Sequence, residues 1–199
     1  MLLGRQAPVT TALLIVIAIG FGIQLRFGDA VTALGANYGP AVREGEYWRL
    51  VTSMFLHGGW LHLVLNAWAL YQLAGLFEIL LGSSRLLLVY FLSGIAGSVA
   101  SVLWTNQPSV GASGAIFGVL GALIAFLARR RERLTPQARS LLMQLLFWAG
   151  LNVVLGISDK MIDNAAHLGG CAVGLAIGFF LQERPRYEPL APAPGSPGF

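Results

Sequence analysis

Two short stretches carry residues whose types suit hydrolytic chemistry. Ser113 lies among small residues in SVGASGAIFG (109–118), and His167 lies in AAHLGGCAVG (165–174). A serine hydroxyl is a poor nucleophile until a base removes its proton, and histidine suits that task near neutral pH. Peptide hydrolysis also needs donors for the oxyanion of the tetrahedral intermediate, each worth roughly 2.7–4 kcal/mol in comparable sites. His62 and Asn66 are four residues apart, on one helix face, and are of the right type. The backbone N–H of Ser113, at a helix start, is a third donor. Plainer roles stand beside these: a serine there caps a helix, and a histidine packs.

These residues are set in a chain built for lipid. Of its 199 residues, 56% are hydrophobic and 11% charged. Nearly charge-free runs recur, each close to the roughly 20 residues that cross a bilayer as a helix. The hydropathy predicts an all-α polytopic membrane protein with six spans: Val9–Leu25, Trp60–Leu81, Leu86–Trp104, Ser113–Ala128, Ser140–Leu155 and Asn164–Leu181. The fourth is short, which fits a helix that starts below the membrane surface in a protein-lined cavity. The first apolar run lacks a small-residue cleavage site and reads as a retained helix.

Arginine placement orients the bundle. Arg5, Arg85, the loop RRRERLTPQAR (129–139), Arg184 and Arg186 share one side. Loops 26–59, 105–112 and 156–163 on the other side hold Arg26, Arg43, Arg49 and Lys160. Both termini are expected in the cytoplasm, with 1–8 as a short N-terminal segment and 9–182 as the core. The Pro-, Ala- and Gly-rich 183–199 is expected to be a disordered tail. The net charge of +4 comes from arginines between apolar segments, so it is no nucleic-acid signal. The run at 129–133 reads as a solvated topology marker. Twelve arginines against one lysine point to a GC-rich bacterial genome, and hence to a bacterial cytoplasmic membrane. The single Cys171 excludes an internal disulfide and a Cys-rich metal site.

Spans two, four and six run in the same direction, so His62, Asn66, Ser113 and His167 all fall near the extracytoplasmic ends of their helices. Polar side chains in membrane helices are costly, and four at one depth ask for a purpose. Small residues let the helices approach. Gly170, Gly174 and Gly178 recur every four residues on span six, and Gly114, Gly118 and Ala122 do so on span four. Such ridges bring helix backbones together in lipid, and would bring Ser113 towards His167.

Taken together, these residues resemble the rhomboid intramembrane serine proteases in their minimal six-helix form, over about residues 9–182. GASG (111–114) is similar to the family's GxSG motif, which implies Ser113 as nucleophile. AHLGGCAVG (166–174) is similar to AHxxGxxxG, which implies His167 as general base. HLVLN (62–66) is similar to the HxxxN element, whose His and Asn line an oxyanion hole. Trp48 and Arg49 match a structural Trp-Arg pair in the long first loop, and Glu78 matches a structural glutamate. The resemblance implies cleavage of single-span membrane proteins near the extracytoplasmic face, by a Ser-His dyad without metal or cofactor. It also implies a lateral gate at span five, where Phe147 and Trp148 lie. Phe117 stands where some relatives place a tyrosine on the catalytic histidine.

Other polar residues have their own readings. His57 is five residues before His62, off its helix face, and reads as a loop residue. Asp163, one turn before His167, completes a triad or caps the helix; the dyad of the family favours the cap. Cys171, deeper on a small-residue helix, reads as packing. A zinc protease would need an HExxH-like helix, which the three histidines do not supply. An aspartyl protease would need paired intramembrane aspartates, whereas Asp29, Asp159 and Asp163 fall in or beside loops. The alternative from another class is a catalytically inactive rhomboid-like protein that binds membrane helices.

Overall fold

The computed structural model describes residues 7–158 and 162–182; the predicted tail, 183–199, and Arg5 lie outside them. Helix α1 (Pro8–Phe27) is followed by three short helices, α2 (Asp29–Gly35), α3 (Gly39–Arg43) and α4 (Arg49–Thr52). Then come α5 (Trp60–Leu81), α6 (Ser83–Trp104), α7 (Ser113–Ala128), α8 (Pro136–Ser158) and α9 (Asn164–Phe180). Helices α1, α5, α6 and α8 are long and apolar enough to cross a membrane. Helices α7 and α9, of 16 and 17 residues, are apolar but shorter than a full span. The chain is an all-helical, multi-pass membrane protein.

Of the six predicted spans, α5 and α7 keep their bounds as helices, α1 and α9 shift by one or two residues at their ends, and two differ for local reasons. Helix α6 starts at Ser83 rather than Leu86, because Gly82, with φ of +101°, makes the break. The polar Ser83–Arg85 then form a first helical turn instead of a loop. Helix α8 starts at Pro136, a residue suited to a first turn, about a turn before the predicted Ser140. The stretch predicted as a long loop is itself structured. Helices as short as α2–α4 do not stand alone; Arg49 of α4 braces the end of α2. Its buried guanidinium donates to Ala33 O at 2.7 Å and Ala36 O at 2.9 Å, and pairs with Glu46 at 2.6 Å. Trp48 differs: its ring is exposed, while its Nε1 donates to Leu34 O at 3.2 Å.

The centre of the bundle is α7, buried continuously from Gly114 to Leu127, with α6 and α9 laid against it. The glycine stripe explains the closeness. A Cβ on Gly170, Gly174 or Gly178 would stand 2.0, 1.9 or 2.3 Å from the carbonyl oxygens of Gly114, Gly118 and Ala122. The two small-residue ridges are thus one interface. Helix α8 is attached differently: 11% of its apolar window is buried, against 50% in α6.

The end of the bundle away from Ser113 is closed by Glu78, which is 2% exposed. The first N–H groups of any helix lack intrahelical partners, and α1 has no side-chain cap of its own. Glu78 supplies one from α5: its carboxylate accepts from Val9 N (2.9 Å), Thr10 N (2.8 Å), Thr10 Oγ1 (2.8 Å) and Ser83 Oγ (2.6 Å). Glu78→Ala is expected to strand these donors and destabilise the fold by about 3 kcal/mol. Thermal unfolding in detergent reads it, and an unchanged midpoint would remove this role.

The arginine run is more than a solvated marker. Arg129 donates to Phe179 O at 2.6 Å, Arg130 to Leu181 O at 2.9 Å, and Arg85 to Gln182 O at 2.6 Å. The Phe179 and Leu181 carbonyls, in the last turn and cap of α9, are of the kind a helix C-terminus leaves open, and cations are favoured there.

Candidate active site

Ser113 is the first residue of α7, and the chain reaching it is pinned on several sides. Ser109 exchanges two backbone hydrogen bonds with Asn37, both 2.9 Å, and Gly111 N donates to Ser53 O at 2.9 Å. Gly111 has φ of +130°, a conformation other residues rarely take, and a Cβ there would lie 2.8 Å from the His62 ring and 3.8 Å from Ser113 Oγ. The first glycine of GASG is thus required twice, by backbone and by space. Beside Ser113 is a cavity of about 20 Å³, walled by Asn37, Ser53, Ser98 and Ser109 among others. That is room for one water molecule. Asn37 donates from Nδ2 to Ser98 O at 2.9 Å, and its buried Oδ1 has no partner among the described residues.

His62 and Asn66 rise from the first turns of α5. Gly58 N donates to His62 Nδ1 at 3.2 Å, which makes Nδ1 an acceptor and leaves the proton on Nε2. Nε2 lies on the ring edge beside Gly111. Asn66 is buried and donates through Nδ2 to His62 O at 2.9 Å, while its Oδ1 is unpartnered among the described residues. His57 is a loop residue as predicted, yet its ring meets His62 edge to face with centroids 5.3 Å apart. Helix-face spacing does not apply to it, since α5 begins only at Trp60. Burial, helped by His62, pushes the His57 pKa down to about 4, so this imidazole is neutral at neutral pH.

His167 is in the first turn of α9 and is 7% exposed. Its ring stacks on Phe117, one turn along α7 from Ser113, with centroids 4.1 Å apart and planes 8° from parallel. Nδ1 is buried without a partner among the described residues. Ser113 and His167 make no hydrogen bond to each other, a looseness common in unliganded hydrolytic sites. Asp163 is a helix cap and bonds to the Ala166 N–H, not to the His167 ring. Cys171 packs against α7, its sulfur 3.2 Å from where a Gly121 Cβ would stand.

Phe147 and Trp148 are exposed on α8 and contact each other with ring centroids 5.7 Å apart; they are not part of the Ser113 cluster. Helix α6, expected from the sequence only as a span, also borders the site. Gly97 and Ser101, four apart on its buried face, touch the first turn of α9, and the small-residue spacing in SGIAGSVAS (93–101) was the available signal.

A family model described as the Rhomboid domain matches residues 44–184. Rhomboid protease GluP of Bacillus subtilis (strain 168) is 38% identical over 147 residues, 73% of this chain and 28% of its own. RHOMBOID-like protein 5 of Arabidopsis thaliana is 38% identical over 169 residues, 83% of this chain and 54% of its own. A second Bacillus subtilis relative, YdcA, is 34% identical over 157 residues, covering 77% of this chain and 75% of its own. The chain belongs to the rhomboid family. It spans about a quarter to a half of the length of the first two relatives.

Proposed function

We propose that this chain is an intramembrane serine endopeptidase. The observation that supports it most is the meeting of three helix starts. Ser113 begins α7, His167 stacks on Phe117 of the same helix, and the His62 ring edge lies beside Gly111. The naming of one relative as a rhomboid protease adds to it. In this reading α1, α5, α6, α7, α8 and α9 all span the bilayer, with α7 and α9 recessed at the catalytic end. Both termini are cytoplasmic, the site opens to the extracytoplasmic side, and the membrane is a bacterial cytoplasmic one.

Ser113 Oγ attacks the scissile carbonyl carbon while His167 Nε2 takes its proton. The carbon–nitrogen bond breaks as His167 returns that proton to the leaving amine. Water, deprotonated by His167, then releases the acyl group from Ser113. The Ser113 N–H, His62 Nε2–H and Asn66 Nδ2 hold the oxyanion. The chemistry calls for no metal or cofactor. Substrates are single-span membrane proteins, entering past Phe147 and Trp148 on α8.

A serine-reactive fluorophosphonate tests the reading: wild type labels and Ser113→Ala does not. Folded wild type that stays unlabelled would overturn it in favour of a non-catalytic protein that binds membrane helices. Asn66→Ala is expected to lower kcat by about 100-fold yet leave measurable cleavage. A loss as complete as that of Ser113→Ala would overturn the donor role.

A further inference from the structure

Asp163 makes no hydrogen bond to the His167 ring, yet its carboxylate is engaged twice. Oδ1 accepts the Ala166 N–H at 3.0 Å, and Oδ2 accepts the hydroxyl of Ser101 on α6 at 2.5 Å. A hydroxyl donating to a carboxylate at this distance makes a strong bond, and Ser101 is 1% exposed. A second set of contacts holds the same turn. A Cβ on Gly97, one turn before Ser101, would stand 2.6 Å from the Ala166 carbonyl oxygen, and one on Gly114 would stand 3.3 Å from it. On α9 itself, a Cβ on Gly169 would stand 2.6 Å from Ala100 Cβ. Ala166, the residue before His167, is thus gripped between α6 and α7, with Asp163 fastened to α6 just beyond it.

We infer that Asp163 and Ser101 form a tether that positions His167. The pair fixes the height and rotation of the first turn of α9, and through it the imidazole over Phe117. Asp163 acts through the helix, as neither a third member of a triad nor a ligand of substrate. The inference rests on the dyad reading above. Displacement of a catalytic group by about 1 Å costs up to 100-fold in rate, so a tether of this kind acts on the chemical step rather than on binding.

The test compares Ser101→Ala, Asp163→Ser, Asp163→Asn and the Ser101→Ala/Asp163→Ser double variant with wild type. Fluorophosphonate labelling rate, kcat and KM are measured well below each unfolding midpoint. Asn keeps both hydrogen bonds, accepting from Ala166 and donating to Ser101, whereas Ser keeps the cap and loses the tether. Ser101→Ala and Asp163→Ser are each expected to slow labelling and kcat about tenfold with KM unchanged. The double variant is expected to be no slower than either, and Asp163→Asn to retain most of the rate. Wild-type kcat in Ser101→Ala would overturn the tether. Loss in Asp163→Asn as deep as in Asp163→Ser would overturn it too, showing that the charge rather than the bond acts on His167. Failure of the dyad reading is separately visible, as labelling that survives Ser113→Ala.

Discussion

In the proposed reading, Ser113→Ala and His167→Ala are each expected to bring cleavage of a membrane-helix substrate to background, a fall of about 10⁴-fold or more in kcat. The double variant is expected to be no worse than either, because in this reading a nucleophile without its base and a base without its nucleophile are equally idle. The two differ in what else they disturb. The Ser113 hydroxyl makes no hydrogen bond among the described residues, so its removal costs the fold little. His167 covers the face of Phe117, and its removal opens space in the core. Ser113→Ala is therefore the clean test: turnover lost, unfolding midpoint unmoved. Cleavage of a fluorogenic single-span peptide in liposomes, beside thermal unfolding, reads both. Turnover that survives in Ser113→Ala would require another nucleophile.

Gly174→Val is expected to prevent assembly altogether, with a cost above about 4 kcal/mol. A Cβ there has its first neighbours all in the backbone: Gly118 O at 1.9 Å, Gly118 C at 2.6 Å and Gly118 Cα at 2.7 Å. No rotamer relieves a clash with main chain, so α7 and α9 must part along their length. Activity falls with stability, since His167 and Ser113 ride on the two separated helices. Gly150→Ala on α8 is the matched control, since among the described residues nothing stands within 4 Å of its added Cβ. It is expected to stay within about 0.5 kcal/mol of wild type. Denaturant or thermal unfolding in detergent compares them, and a Gly174→Val protein with a wild-type midpoint would refute the interface.

How far the sequence discloses this architecture depends on the range of the interaction. The α7–α9 contact is legible because its determinant is local: glycines every four residues write a smooth ridge on each helix, whatever the partner. The bounds of α5 and α7 follow from Gly59, Gly82 and GASG, where the backbone must turn. The start of α6 is missed because Ser83–Arg85 look like a loop until Glu78 is seen to accept the Ser83 hydroxyl. Helices α2 and α4 are missed because they are held together by Arg49, whose bonds to Ala33 and Ala36 no local pattern announces. The residue types of the candidate site are legible for the same reason as the glycine ridge, each sitting at a helix start. The Asp163–Ser101 bond joins positions 62 residues apart, and only the packing of α9 on α6 brings them together.

The unequal burial of the helices has an energetic corollary. Helix α8 leaves most of its surface to lipid, so lifting it from Leu142 and Leu145 trades a small protein contact for lipid contacts of similar strength. Sub-global opening of the bundle is accordingly expected to begin at α8, with the first turn of α9 still held between α6 and α7. In the proposed reading, breathing and bond-making fall to different stretches of one chain. In the same reading, motion of α8 that admits a polypeptide is expected to leave Ser101, Asp163 and His167 where they are.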